Sequence, residues 1–179
     1  MSRRMTWFVL VLVFVGIIPC LHAQMDPNDP LTEDEVQQIR DNRTNPNERI
    51  KLYIKFVDER LDSLKQLSAE PKGNDRGVQI RDKLEEFTRL CDELQDNLDM
   101  FDEAHADIRK SLKDLKQDSA KWAAILGGLP ADQNYDFSQK MAEEAAQSAQ
   151  DEAKQLAEEQ DIFFTAHKNM RGKDGTGPG

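Results

Sequence analysis

Apolar residues recur every seventh position from Ile80 to Leu129: Ile80, Phe87, Leu94, Phe101, Ile108, Leu115, Trp122 and Leu129. Four residues after each of the first seven lies a second set, Leu84, Cys91, Leu98, His105, Leu112, Ser119 and Leu126. This 4-3 spacing places both sets along one stripe of an α-helix, and its persistence predicts a left-handed coiled-coil seam. Neither glycine nor proline falls between Gly77 and Gly127. The pattern therefore predicts one uninterrupted helix of roughly 50 residues, on the order of 75 Å long.

Matching stripes flank it. Before it, "TNPNERIKLYIKFVDERLDSLKQLSAE" carries Ile50, Ile54, Val57, Leu61 and Leu64, with Pro46 near the first helical position and a break at Pro71, Gly73 and Gly77. After it, "GGLP" at Gly127 to Pro130 is a helix stop, and a last helix from near Asp136 to Gly172 carries Ala142, Ala146, Ala149, Ala153, Leu156, Gln160, Phe163, His167 and Met170. Folded back antiparallel, Val57 faces Phe87, while Trp122 faces Ala142 and Leu115 faces Ala149, so that large residues meet small ones. A short first helix is predicted in "LTEDEVQQIRDN", where Thr32 and Glu35 form a capping box and Leu31, Val36 and Ile39 share a side. The expected fold is all-α: an elongated antiparallel coiled coil or helical bundle with one long central helix, two helices folded back on it, and a short N-terminal helix.

The ends of the chain read differently. Arg3 and Arg4 followed by the apolar run Trp7 to Ile18 have the layout of a signal peptide, with cleavage expected after Ala23. The apolar run as a helix covers about 18 Å, short of a bilayer's hydrocarbon core of about 30 Å. Retention as an anchor and lipid attachment at Cys20 are the alternatives to cleavage. The expected organisation is a signal peptide at 1–23, a linker at 24–30, a helical domain at 31–171 and a disordered tail at 172–179.

The whole chain carries 24 Lys and Arg against 34 Asp and Glu, a net of −10. Loss of Arg3 and Arg4 with the signal peptide takes the mature chain to −12. Such a surface repels nucleic acid and anionic lipid and favours basic or uncharged protein partners. No stable membrane insertion is expected after cleavage. Cys91 is then the single cysteine, so helix packing rather than an internal disulfide must hold the fold.

Cys91 and His105 are the residues whose chemistry invites attention. They stand fourteen positions apart, about 21 Å along a helix, whereas ligands of one metal must lie within roughly 2.0 to 2.3 Å of it. They cannot share an ion. Asp102 precedes His105 as in half of a di-iron bundle motif, but His167 follows Phe164 at the matching offset. His105 is instead expected to pair with Gln160 in a buried polar layer, and His105→Leu to keep or raise stability. Cys91 is expected to act as a small core filler. The tripeptide Asn42 to Thr44 fits a glycosylation acceptor, and the acidic run Glu143, Glu144, Asp151, Glu152, Glu158, Glu159 and Asp161 reads as a solvated face. No catalytic, cofactor-binding or metal-ligating residue is assigned. Tyr53, Phe56, Leu67 and Phe164 widen the apolar faces beyond the seams, and a homodimer is expected to cover them, with the first helix, through Val36 and Ile39, as the alternative cover.

The segment "NERIKLYIKFVDERLDSLKQL", within residues 32–67, resembles part of a group of uncharacterised exported bacterial helical proteins. The resemblance implies a bacterial envelope location and carries no activity. The expected function is a non-enzymatic structural or protein-interaction role in the periplasm or outside the cell, with a periplasmic chaperone for unfolded clients as the alternative.

Overall fold

The computed structural model describes residues 29–168 apart from 72 and 74. The expected signal peptide, most of the linker, Met170 and the tail at 172–179 lie outside these residues. Within them the chain is all-helical: α1 (Glu33–Asp41), α2 (Pro46–Ala69), α3 (Arg76–Glu103), α4 (Arg109–Leu126) and α5 (Asp136–Ala166), with no strand among the described residues.

The single long central helix does not form. It is divided at Ala104 to Ile108 into α3 and α4, which run in opposite directions. The cause is a helix-ending turn built without glycine. The N–H of Ala106 donates to Phe101 O at 2.9 Å and that of His105 to Asp102 O at 2.8 Å, the bond pair of a Schellman motif. His105, with φ of 51°, occupies the left-handed position where glycine is usual. Ala106 and Phe101 are both buried, supplying the apolar contact that accompanies this motif.

The heptad pattern nevertheless marks the core. Every residue of both stripes is buried except Leu129, which is partly covered, and His105, which is exposed. Phe101 and Ile108 lie on either side of the turn, so α3 and α4 each direct their own apolar stripe into a shared interior.

Four helices stand side by side around that interior. Rising numbers on α2 meet falling numbers on α3, as in Arg49 with Asn97 and Arg60 with Glu86, so these helices are antiparallel. Helices α4 and α5 are antiparallel likewise, through Arg109 with Asp161 and Leu126 with Gln139. The two hairpins join by parallel contacts: α2 with α4, through Asn47 with Ser111 and Asp58 with Trp122, and α3 with α5, through Glu85 with Ser138 and Gln95 with Ser148. Helices α3 and α4 are consecutive in the chain yet stand diagonally, their backbones separated by the core. Across the diagonal the Phe87 and Trp122 rings meet edge to face, centroids 6.1 Å apart.

Small residues on α5 set its spacing. Ala142, Ala146, Ala149 and Ala153 are fully buried, as are Leu115 and Trp122. Burial of each such large side chain stabilises the fold by about 1.5–3 kcal/mol. At the opposite end Gly77 lies under the loop between α4 and α5, where an added Cβ would approach Asn134 to 2.9 Å.

Helix α1 packs on α2. Thr32 caps it, the Thr32 side chain accepting from Glu35 N while Glu35 accepts from Thr32 N at 2.7 Å. Leu31 and Ile39 join the core. Tyr53 and Phe56 are buried within this one chain, as is Phe164. The apolar area from which a homodimer was expected is thus largely covered internally, with Leu67 partly so.

Candidate functional site

The turn between α3 and α4 gathers most of the unusual chemistry. Breaking a helix in a protein interior frees backbone N–H and C=O groups, which must find other partners. Two buried amides from the neighbouring helices provide them. Gln160 on α5 accepts from Ile108 N at 3.1 Å through Oε1, and through Nε2 donates to Ala106 O and to Asp102 Oδ1, each at 3.1 Å. Asn47 in the first turn of α2 donates to Asp107 O at 2.8 Å and accepts from Ser111 N at 3.2 Å and from Ser111 Oγ at 2.6 Å. Gln160 is therefore buried as expected, but its partners are the turn backbone and Asp102, not His105.

His105 projects outward. Its ring stacks on Phe163 of α5, with centroids 4.4 Å apart and planes 21° from parallel. His167, one turn further along, stacks on the same phenylalanine at 4.5 Å and 27°. Two histidines far apart in sequence thus converge on one aromatic ring. The left-handed backbone at residue 105 turns the imidazole out of the core that the heptad had assigned to it. His105→Leu, expected to keep or raise stability, becomes unfavourable at this φ.

Beside these rings is a recess of about 210 Å³ lined by Asp102, His105, Glu159, Gln160, Phe163 and Phe164. Neither Asp102 nor Glu159 forms an ion pair among the described residues; Asp102 accepts from Gln160 and Glu159 from Gln155. Arg109 lies over the Phe164 ring at 5.0 Å, its charge met by Asp107 at 2.7 Å and Asp161 at 2.8 Å. Helices α3 and α5, being parallel, both present their C-terminal ends here, adding the negative poles of two helix dipoles.

Two surface grooves are also acidic. Between α3 and α5, Asp92, Asp96, Asp99 and Glu152 line a groove with Gln95 and Gln155. Burial pushes the carboxyls of Asp92 and Glu152 above the usual range, with neighbouring Asp96 and Asp99 adding repulsion. Glu152 Oε1 has no hydrogen-bond partner. Between α2 and α4, Asp58, Glu59, Asp62, Asp114 and Asp118 are interleaved with Lys51 and Lys55. Burial raises the pKa of Asp58, against the hydrogen bond that it accepts from Trp122 Nε1 at 2.7 Å.

Cys91 is fully buried in α3, and burial pushes its thiol far above the ordinary range. In this setting it is a filler and not a nucleophile. No cluster of three or more His, Cys, Asp or Glu arranged to hold a metal occurs among the described residues. Asn42 caps the end of α1, its side-chain amide donating to Gln38 O at 2.9 Å, and Thr44 is exposed. The acidic run on α5 is largely solvated, with Glu143 and Glu152 half-buried.

One buried ionic group had no signal in the apolar pattern. Arg60 of α2 donates to both oxygens of Glu35, to Glu86 and, at 2.7 Å, to Pro30 O. Burial pushes the Glu35 carboxyl up, but the hydrogen bonds from Arg60 and Thr32 outweigh it and hold the group below the usual range. The sequence offers only charges spaced along three helices; their convergence depends on how α1 and α3 flank α2.

Comparison with protein-family models, curated proteins and solved structures finds no match to the chain.

Proposed function

We propose that the chain is an exported, non-enzymatic interaction protein of the periplasm or cell envelope. Its helices pack as a coiled-coil-like bundle, and acidic surfaces engage a basic protein partner. The observation that carries this reading is the groove between α3 and α5, where Asp92, Asp96 and Asp99 face solvent beside the half-buried Glu152, without a lysine or arginine in the lining. Holding like charges together raises the free energy of the unbound surface, and a cationic partner relieves it.

Photocrosslinking groups placed at Gln95 and Gln155 in the native cell test the proposal. Mass spectrometry should identify one dominant basic envelope protein, and its yield should fall at high salt. A crosslink pattern identical to that of a group placed at Gln66, exposed on α2 outside both acidic grooves, would sink it.

The second reading, a chaperone for unfolded clients, has specific support in the exposed apolar residues Phe137, 75% exposed, and Ile162, 74% exposed, with Met141 and Val78 beside solvent. A light-scattering assay with an unfolded client separates the two. Failure to suppress aggregation at several-fold excess removes the chaperone.

A further inference from the structure

We infer that the recess beside the turn between α3 and α4 is a docking site for one lysine or arginine side chain of that basic partner, a conclusion resting on the interaction reading above. Its size and lining supply the argument. The space of about 210 Å³ is open at the surface; Phe163 and the His105 ring stacked on it, with the buried Phe164, line it beside the carboxylates of Asp102 and Glu159. A long basic side chain has the complementary form, an apolar stem with a charged head. The stem can lie against the half-buried Phe163 while the head reaches the carboxylates.

The charge around the recess points the same way. Asp102 and Glu159 have no ion-pair partner among the described residues, and the C-terminal ends of α3 and α5 direct partial negative charge toward it. Arg109, over the Phe164 ring, already meets two carboxylates. Its arrangement is an internal precedent for the proposed contact: a guanidinium seated on a phenylalanine and flanked by acids. The recess is also preformed. Its floor is Gln160, fixed by hydrogen bonds to three groups of the turn, so little ordering is needed when the site is filled.

The mature chain labelled with nitrogen-15 and titrated with acetyl-Gly-Arg-Gly-amide, followed by amide shifts, tests the site. Saturable shifts are expected at Asp102 to Ile108 and Glu159 to Phe164, and none with the uncharged citrulline peptide. Glu159→Gln, at an exposed position that leaves the core intact, should weaken binding by up to about fivefold, the upper end for an exposed ion pair.

Shifts confined to Asp92, Asp96 and Asp99, and unchanged by Glu159→Gln, would move the cation to the long groove and overturn the inference. So would the lack of any saturable shift at several millimolar peptide. Binding seen only after truncation behind Lys168 would make the chain's own last residues, which include Arg171 and Lys173, the occupant instead of a partner. Photocrosslinking at Gln95 and Gln155 fails or succeeds independently of these outcomes, so loss of the recess and loss of the partner reading are distinguishable.

Discussion

Gln160 Oε1 accepts the hydrogen bond of Ile108 N at 3.1 Å, joining α5 to the N-cap residue of α4. The same amide holds the Ala106 carbonyl. Gln160→Leu keeps the apolar bulk but leaves both groups buried without partners, at a cost of about 1–3 kcal/mol each. Urea denaturation should show a loss of about 2–6 kcal/mol. A loss below about 0.5 kcal/mol would mean that water or a shifted backbone replaces the amide.

His105→Gly separates a turn from a continuous helix by the sign of its effect. In a left-handed turn, glycine removes the strain of φ at 51°, and the variant should be as stable as the parent or more stable by up to about 1 kcal/mol, less whatever stacking on Phe163 contributes. In an unbroken helix the same change would cost about 1 kcal/mol. His105→Leu should destabilise the turn by about 1–2 kcal/mol. Thermal melts of the two variants beside the parent decide the matter.

Glu35 ties α1 to α2 through a buried ion pair. Because its carboxyl is held below its ordinary value in the folded protein, the associated stability is complete above the unfolded pKa of about 4.3 and is lost as pH falls through the lower folded value. Amide exchange in Glu33–Asp41 should therefore accelerate below about pH 4 before the four-helix core responds. Glu35→Ala should give the same local opening at neutral pH, lowering protection in α1 by about 2–3 kcal/mol because Arg60 loses a bidentate partner in a buried place. Uniform protection across α1 and α3 at low pH would contradict this.

Cys91 should not react with a thiol reagent at pH 8 until the chain is opened by denaturant, since it is both buried and held as the thiol. Labelling on the timescale of minutes in native buffer would show that α3 opens far more readily than its packing implies.

With Tyr53, Phe56 and Phe164 covered inside one chain, light scattering coupled to size exclusion should give the mass of one chain at tens of micromolar. A mass of two chains would direct attention to Phe137 and Ile162, the most exposed apolar side chains.

The core was legible because burial follows hydrophobic period, and Ile80 through Leu126 keep that period across the turn. The turn itself was not. "EAHAD" has neither glycine nor proline, alanine favours helix, and the decisive left-handed residue is a histidine, which adopts this conformation more readily than most non-glycine types but far less than glycine. Its stabilisation comes from Asn47 and Gln160, which are distant in sequence and read alone as ordinary polar positions. The recess was illegible for the same reason: once the helix is broken, His105 leaves the seam and meets Phe163, a contact set by three-dimensional folding and not by spacing. Only the absence of a well-formed apolar residue at 105 marked the place.

The diagonal placement of α3 and α4 divides the chain into two locally formed hairpins. Each of α2 with α3 and α4 with α5 can pair through a short connection at small entropic cost, whereas the link at Ala104 to Ile108 brings no neighbouring pair together. On this topology the link is expected to act as a swivel during folding. The two halves can form early and separately, and the late event is their mutual docking, when Phe87 meets Trp122 and Gln160 and Asn47 close over the swivel to fix its angle.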